Sequence, residues 1–385
     1  MTASVLVSSF TDISKDPRAI KQVEAAVERH AVTTCSFGPP PHPSVEHIEL
    51  DPAGSYPTNR VMQQVDAFAR KREIFRWTHD RIPYVREARR ALRGRRFDAV
   101  IANNADAALA VRPVVGGVPM HIDLHEYFPG LVFDDGTAEA RRQQRYLDWL
   151  LRRVVPFTTS SSAVSPLIAQ RYRSLGLDPE VITNAGPSLA LAPGEVGSPI
   201  RLVHSGNAQP GRGLRQLVRA VTRTRTDVTL DLYLVPNDVR FHTELSGLAA
   251  EAGERVALHP PVPREALVPT LNGRDVGVFV LPPTTENGEL ALPNKFFDFV
   301  QARLAVIVGP SPEMADLTRR HGLGVVTDDF TEDALVAALD QLTPEGVRAG
   351  KQAADHAAVA LSGDAHRSQW EGILERLTGT TTASA

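Results

Sequence analysis

Short apolar runs alternate with helical patterns along this chain, and the whole alternation occurs twice. The runs of the first half are residues 5–8, 32–36, 99–102, 121–124 and 181–183, and those of the second half are residues 201–204, 230–235, 255–258, 276–281 and 305–308. Strands that alternate with helices form parallel sheets covered by helices. The sequence therefore predicts an α/β protein with two doubly wound, Rossmann-like domains that face each other across a cleft.

The helical pattern after the first run carries strong start signals. Asp16 is a suitable N-cap and Pro17 fits the first helical position, where no amide hydrogen is needed. Ile20, Val23 and Val27 then fall on one face at helical spacing. A helix that begins at residue 17 is predicted.

A Gly- and Pro-rich segment, residues 186–199, separates the two halves and is typical of a linker or hinge. At 385 residues the chain exceeds one ordinary domain. We expect a first domain at 1–188, a second at 200–365, and a C-terminal helix with a disordered tail at 366–385. Trp370 and Leu374, four residues apart on that helix, could pack on either domain.

Composition excludes several classes of protein. A hydrophobic content of 42% with 23% charged residues is typical of a folded soluble chain. No apolar run approaches the roughly 20 residues that cross a bilayer, and the N-terminus has no leader pattern, so a cytoplasmic location is expected. The single cysteine, Cys35, rules out an internal disulfide and lies in an apolar run, which predicts a buried thiol.

Residues 70–96 hold eleven Lys or Arg against three acids, with Phe75, Tyr84 and Trp77 among them. A solvated helical face is one interpretation. Contact with anionic lipid headgroups, which would make the protein membrane-peripheral, or with an acidic acceptor is another. Nucleic acid is not expected as a partner, because the rest of the chain is acidic and no recognition motif is present.

The stretch LPNKFFDFV, residues 292–300, joins a turn, a helix start, a cation and a carboxylate. It follows an apolar run and a loop with Glu286 and Glu289, so it starts near the carboxyl end of a parallel strand, where ligands bind. A helix start at Pro293 favours an anion. Lys295 is then predicted to lie near phosphate, and Asp298 to face the hydroxyls of a ribose or sugar.

A second landmark is SGNAQPGRGL, residues 205–214, directly after the first run of the second half. A Gly-rich turn that opens a helix can cradle phosphate, and Arg212 could neutralise a diphosphate. The glycines match neither the dinucleotide fingerprint nor the P-loop. A tight turn with Arg212 in solvent is the alternative.

The third landmark is HIDLHEYFP, residues 121–129. On a strand, His121, Asp123 and His125 share one face. Three interpretations remain open: a metal site, a core histidine whose hydrogen bonds are satisfied there, or a cleft-lining His125 and Glu126 that bind a polar ligand. No further metal ligands are evident at suitable spacing.

Together these pieces resemble the GT-B-fold glycosyltransferases of family 4. The resemblance rests on DPRAIKQVEAAVERHAVTTCSF, IDLHEYFPG, VITNAGP, LVHSGNAQPGRGLRQLVRAV, ALPNKFFDFVQARLAVIV and SPEMADL, in that order, between about residues 5 and 377. It implies transfer of a sugar from a nucleoside-diphosphate sugar to an acceptor, with retention of configuration and without a metal or other cofactor. The acceptor, whether lipid, glycan or small molecule, stays unidentified.

The resemblance also implies roles for residues of this chain. Those with catalytic roles are His125, at the donor sugar, with Arg212 and Lys295 at the leaving diphosphate. Those that bind the donor are Gly206, Asn207, Gly213, Glu289, Leu292, Pro293, Asn294 and Asp298. Those on the acceptor side, in the first domain, are Lys15, Arg18 and Glu126.

The chain departs from the family pattern at several positions. The first family carboxylate falls on Leu290, for which Glu289 or Glu286 could substitute. The second is Asp298 where Glu is usual, and Asn207 stands where Arg is frequent. Arg303 and Ala305 occupy positions where glycine and proline are common. A noncatalytic sugar-nucleotide-binding partner of an active transferase and a nucleotide-sugar 2-epimerase are therefore alternative functions.

Overall fold

The computed structural model of the chain describes residues 2–53 and 60–379, which form two compact units. The first unit comprises residues up to 183, residues 285–288 and residues from 365 onward. The second comprises residues 184–284 and 289–364. Each contains one parallel sheet with helices on its faces, which confirms the predicted α/β class.

The first unit has a seven-stranded sheet of order β3-β2-β1-β4-β5-β6-β7. Its strands are β1 Ser4–Asp12, β2 Ala31–Phe37, β3 Glu46–Glu49, β4 Ala99–Asn103, β5 Met120–Leu124, β6 Ser160–Ala163 and β7 Pro179–Val181. Its helices are α1 Pro17–Val27, α2 Arg60–Lys71, α3 Phe75–Asp80, α4 Pro83–Leu92, α5 Asn104–Val115, α6 Ala138–Val154 and α7 Pro166–Arg173.

The second unit has a six-stranded sheet of order β10-β9-β8-β11-β12-β13. Its strands are β8 Ile200–Asn207, β9 Val228–Val235, β10 Val256–His259, β11 Val276–Phe279, β12 Ala305–Val308 and β13 Gly324–Val326. The helices that follow in the chain are α8 Leu214–Arg223, α9 Val239–Ala252, α10 Arg264–Asn272, α11 Glu286–Glu289, α12 Asn294–Gln301, α13 Pro312–His321, α14 Glu332–Asp340 and α15 Pro344–Ala357; the last helix of the chain is α16 His366–Thr378.

Helix α1 begins as its sequence predicts. The Asp16 carboxylate accepts hydrogen bonds from the backbone N–H groups of Arg18 and Ala19, and Pro17 occupies the first helical position. These bonds satisfy two of the amides that a helix start leaves free. Cys35 is fully buried, as expected, and burial raises its thiol pKa to about 12.

The predicted segments differ from the observed ones where the sequence is polar or short. The run at 181–183 was expected as a strand, but β7 ends at Val181. Strands β3, β6 and β13 were not predicted; their sequences EHIE, SSSA and GVV have little or no apolar alternation. They form because each pairs with a neighbouring strand already in the sheet.

The segment expected to be a free linker belongs to the second unit. Leu189 and Leu191 are partly buried against the core of that unit, and the N–H of Gly197 donates to Asp275. The two units divide between Thr183 and Asn184. The expected disordered tail falls mainly on residues 380–385, which lie outside the described residues.

Helix α16 packs on the first unit, which decides between the two placements left open by the sequence. Trp370, Ile373 and Leu374 are buried in one core cluster with residues of β1, β4 and α1. The two faces of the second sheet carry separate apolar clusters, one involving α8 and α9 and the other involving α12 and α13. Each unit thus has its own core.

Candidate functional site

The switch point of the second sheet lies between β8 and β11. These strands are neighbours, but the chain runs outward from β8 to β9 on one side and from β11 to β12 on the other. Ligands of doubly wound sheets bind at the carboxyl ends of the strands at such a point. The connection from β8 to α8 carries Arg212 and Gly213, and the one from β11 leads to α12. Both landmark segments of the second half therefore leave the sheet at its switch point.

Two glycines let these connections approach each other. Gly213 has φ of 70°, and a Cβ there would lie 2.5 Å from the carbonyl oxygen of Val280. Gly206 has φ of 143°, and its Cβ would lie 2.7 Å from the Lys295 ammonium nitrogen. A side chain at either position would strain the backbone; at Gly213 it would also collide with the Val280 carbonyl, and at Gly206 it would displace the Lys295 side chain. The structure thus brings Gly206 and Lys295 together.

Lys295 is an ammonium group without an acceptor among the described residues. Its Nζ lies 4.5 Å from the centroid of the Phe279 ring. Burial lowers the pKa of Lys295 to about 7; the charge of Arg212 lowers it further, and Asp298 opposes this. A lysine in this setting gains most from a ligand that supplies negative charge.

The start of α12 adds further unsatisfied donors. Pro293 is the N-cap residue, one position earlier than the first helical position expected for it. No side chain caps this helix, so the backbone N–H groups of Asn294 and Lys295 have no partner within the helix, whereas the N–H of Phe296 donates to the Pro293 carbonyl. Arg212 is half-buried, and no carboxylate in the described part of the chain pairs with it. Such a group of donors could accept an anion.

The other donor-side residues have mixed surroundings. Asp298 is buried, and both its oxygens accept from Arg264, at 2.7 and 2.9 Å, so its carboxylate already has a partner. Glu289 is exposed, whereas Leu290 and Leu292 are buried. Asn207 is the last residue of β8 and is half-buried. Their roles toward a donor stay predictions.

In the first unit, His125 lies just beyond the end of β5. Its Nε2 is 2.9 Å from Asn103 Oδ1 and 3.1 Å from Asp123 Oδ2. Both oxygens only accept, so Nε2 carries a proton and donates to them. Nδ1 is 3.9 Å from an Asp16 oxygen, and the side chain is 16% exposed. His125 is thus oriented by Asn103 and Asp123, and its exposed part can contact a polar ligand.

Arg18 is not available to an acceptor, contrary to expectation. Its guanidinium forms a two-point ion pair with Asp123, at 2.5 and 2.6 Å, and donates to the carbonyl of Ile182. It also lies 5.5 Å from the centroid of the Trp370 ring. The buried pair, together with His125, holds the pKa of Asp123 far below its usual range against the effect of burial. Arg18 fixes β5 to its surroundings.

The remaining first-unit candidates are on the surface. Lys15 is 81% exposed and pairs with Asp12 at 2.7 Å. Glu126 is exposed, and its carboxylate accepts from the side chain of Asn287, a residue of the 285–288 segment. Both can reach a ligand from solvent.

His121, by contrast, is a core residue. Its two ring nitrogens bond to the hydroxyls of Ser160 and Ser162, and burial lowers its pKa to about 4. Within residues 2–53 and 60–379, no group of three or more His, Cys, Asp or Glu side chains is arranged to hold a metal ion.

Ion pairs neutralise part of the basic segment at 70–96. Arg81 pairs with Asp66, Arg89 with Asp80, and Arg95 with Glu46. Arg86 and Arg90 on α4, and Arg93 directly after it, are exposed. No helix in the described ranges is both long enough and apolar enough to cross a membrane.

Several residues around these sites carried no sequence signal. Arg264 binds Asp298 from 34 positions away. His204 Nε2 lies 3.8 Å from the position that a Cβ on Gly206 would take. Asn104 has φ of 70°, and its side-chain oxygen accepts the backbone N–H of His125. Burial raises the pKa of Asp106, on the first turn of α5, to about 6. Only the fold brings such partners together.

A known domain family matches part of the chain. Residues 18–186 match the sequence model of the glycosyl transferase 4-like domain. No curated protein sequence matches the chain significantly.

Solved structures similar to the chain cover nearly all of it. Sucrose-phosphate synthase from Thermosynechococcus elongatus is 16% identical with a TM-score of 0.69, covering 98% of this chain and 100% of its own. Anabaena HepE in complex with UDP-glucose is 15% identical with a TM-score of 0.68, covering 97% and 100%. An α,α-trehalose-phosphate synthase (UDP-forming) from Burkholderia vietnamiensis is 12% identical with a TM-score of 0.65, covering 99% and 100%.

The two sheets and the likeness to these solved structures together define the fold of the chain as GT-B. Within that fold, residues 18–186 are similar to the glycosyl transferase 4-like domain.

Proposed function

We propose that the protein transfers a sugar from a nucleoside-diphosphate sugar to an acceptor, and that the second unit binds the donor. The observation that carries this proposal is the ammonium of Lys295, which has no acceptor among the described residues and lies at the sheet's switch point beside an uncapped helix start. A diphosphate fits this arrangement because it offers several anionic oxygens to several donors. Among the similar structures, Anabaena HepE forms complexes with UDP and with UDP-glucose, which supports UDP as the first nucleotide to test.

The chemistry of transfer explains why such a site is needed. Breaking the anomeric bond leaves negative charge on the departing nucleoside diphosphate. Lys295, Arg212 and the first amides of α12 would stabilise that charge without a metal ion, and preorganised donors of this kind are worth about 3 kcal/mol each. With no carboxylate assigned as a nucleophile, attack on the face that the leaving phosphate vacates would retain the anomeric configuration.

Other residues are assigned roles within the same proposal. Asp298 would accept from a ribose hydroxyl while it keeps its bond to Arg264, because a carboxylate has about four acceptor positions and Arg264 occupies two. Glu289 would bind sugar hydroxyls in place of the carboxylate lost at Leu290. The phosphate site would be shaped by the residues of the two connections, namely Gly206, Asn207, Gly213, Leu292, Pro293 and Asn294. On the first unit, His125, Lys15 and Glu126 would bind hydroxyls or charge on the acceptor or sugar.

The Arg212→Ala variant tests the proposal. We expect turnover to fall by about a hundredfold or more, the usual cost of losing one donor to a developing anion. Arg219→Ala is the matched control, because Arg219 is an exposed arginine on α8 and is predicted to be dispensable. A loss below threefold in Arg212→Ala, with intact folding, would show that Arg212 does not bind the leaving group.

The donor can be identified by thermal shift with UDP, GDP, dTDP and ADP sugars, since a ligand that binds the folded state raises the melting temperature. Analysis of products then separates the alternatives. Sugar transfer or slow donor hydrolysis supports the enzyme, binding without turnover supports a noncatalytic partner, and an altered sugar on an intact nucleotide supports a 2-epimerase.

We further propose that helices α2 and α3 contact an anionic lipid surface. Phe68, Ile74 and Trp77 are 57%, 47% and 41% exposed, and cationic side chains such as Arg72 and Arg76 accompany them. Apolar side chains among cations suit the headgroup region of an anionic bilayer.

Co-sedimentation with vesicles tests this contact. We expect the protein to bind vesicles that contain phosphatidylserine and to bind phosphatidylcholine vesicles more weakly. The Phe68→Ser/Trp77→Ser double variant should lose binding to the phosphatidylserine vesicles. Equal binding by the wild type and the double variant would contradict it, and so would no binding to either vesicle. Val239→Ser, at an exposed valine of the second unit, is the control.

A further inference from the structure

His204 is a buried histidine next to the proposed phosphate site. It lies on β8, is 2% exposed, and stacks on Phe279 with ring centroids 6.0 Å apart. The same Phe279 ring faces the Lys295 ammonium. His204 and Lys295 thus both contact the ring of Phe279.

One ring nitrogen of His204 is bonded and the other is not. Nδ1 donates to the carbonyl oxygen of Val278 at 2.8 Å, since a carbonyl can only accept. The neutral ring therefore carries its lone pair on Nε2. That atom is buried and has no hydrogen-bond partner. Leaving a buried polar atom unpaired costs about 1–3 kcal/mol, so its presence calls for an explanation.

The unpaired atom and the Lys295 ammonium both lie close to Gly206. Nε2 is 3.8 Å from the position that a Cβ on Gly206 would take, and the Lys295 Nζ is 2.7 Å from the same position. Burial and the charges of Lys295 and Arg212 lower the pKa of His204 to about 3, so the ring is neutral at physiological pH. A neutral ring with its lone pair toward an ammonium attracts that ammonium.

We propose that His204 is a positioning residue for Lys295: its Nε2 accepts from the ammonium, directly or through one water, and holds it charged and oriented for the diphosphate. This inference rests on the proposed function, because it assigns the ligand of Lys295 to the donor. It adds a residue that makes no contact with the donor itself.

Four groups determine the charge state of Lys295. Arg212, from the connection after β8, disfavours the ammonium, and Asp298, on α12 itself, favours it. Arg264, on α10, forms an ion pair with Asp298, and its positive charge opposes the effect of Asp298 on the Lys295 ammonium. His204 is the neutral acceptor among them. Removing it should lower the pKa of Lys295 further, while an amide oxygen in its place should restore it.

The experiment measures the pKa of Lys295 without any donor. Brief acetylation over pH 5–10, read by mass spectrometry of the peptide that contains Lys295, reports the fraction of free amine. His204→Phe keeps a ring against Phe279 but removes the acceptor, and His204→Gln restores an acceptor. We expect a pKa about one unit lower in His204→Phe and near the wild-type value in His204→Gln. An unchanged pKa in His204→Phe would overturn the inference.

UDP affinity provides the second readout. At pH 8, we expect His204→Phe to bind about tenfold more weakly than wild type, the change that corresponds to one pKa unit, and His204→Gln to bind within threefold of wild type. Equal loss at pH 6 and pH 8 would indicate a merely structural effect and would overturn the inference. If Lys295 shows the expected acetylation pattern but wild type binds no nucleoside diphosphate, the proposed function fails while the His204–Lys295 pairing stands.

Discussion

At the scale of single residues, the site is defined by charges that lack partners. Lys295 has a pKa of about 7 against an ordinary value of 10.5, so between those pH values the folded chain binds fewer protons than the unfolded chain. Its contribution therefore makes the free energy of unfolding rise with pH across that window. At low pH the charged, buried Lys295 destabilises the folded state, and such a cost is typical of a site built for a ligand.

We expect Lys295→Met to stabilise the protein by about 0.5–2 kcal/mol near pH 6.5, the range found when a strained functional residue is replaced. The same substitution should abolish UDP binding. Urea unfolding at pH 6.5 and pH 9 measures the first effect, and the advantage of the variant should shrink at pH 9. A variant that is less stable than wild type at both pH values would contradict this account of Lys295.

A paired charge in the other unit should behave in the opposite way. Arg18→Met leaves the buried Asp123 carboxylate without its partner, and breaking such a pair costs about 3–5 kcal/mol. Lys15→Ala removes a cation from an exposed pair and should change stability by less than about 0.5 kcal/mol. Chemical denaturation of both variants checks this contrast. Similar stabilities would mean that the Arg18 pair does not hold the first unit together.

The sequence predicts roles for Lys295, Arg212 and Gly213 from local signals: a Gly-rich turn, a proline and a helix start lie within a few positions of these residues. It misassigned Arg18 for the opposite reason. The partner of Arg18 is Asp123, 105 positions away, and only the pairing of strands brings them together. The same holds for Arg264 and Asp298. Local motifs thus predict donors, but they do not predict which donors are already occupied.

At the scale of elements, apolar content decided what could be predicted. Strands β1, β4, β8 and β12 each contain a short buried stretch rich in Val, Ile, Leu or Ala, and each was predicted within a few residues. Strand β6 is SSSA, and its hydroxyls serve the buried polar network, with Ser162 donating to Asp123. Because that network exists only in the folded unit, the polar strand has no signature of its own.

Helix α16 gives a prediction at this scale. Trp370 is fully buried, and Trp370→Ala should destabilise the first unit by about 3–5 kcal/mol, as expected for a large aromatic side chain removed from a core. Val359→Ala, at a residue that is 70% exposed, is the control. Urea unfolding followed by circular dichroism measures both, and a loss below 1 kcal/mol in Trp370→Ala would show that α16 is not part of that core.

At the scale of the whole molecule, the two units have separate cores and different candidate sites. A saturating donor should stabilise the unit that binds it, by about 2.7 kcal/mol at a hundred times the dissociation constant. Hydrogen exchange with and without UDP should therefore show slower exchange in residues 206–214 and 292–298. Slowing confined to residues 99–130 would place the nucleotide on the first unit and contradict the proposed site.

The packing of α16 on the first unit has a consequence for the order in which the two units can fold during synthesis. The first unit lacks Trp370, Ile373 and Leu374 until the last part of the chain has been translated, whereas residues 184–364 are complete before then. Domains commonly fold as they emerge, the N-terminal one first. Here the later-made half can reach its native core before the earlier-made half, whose β1, β4 and α1 must wait for their final covering helix.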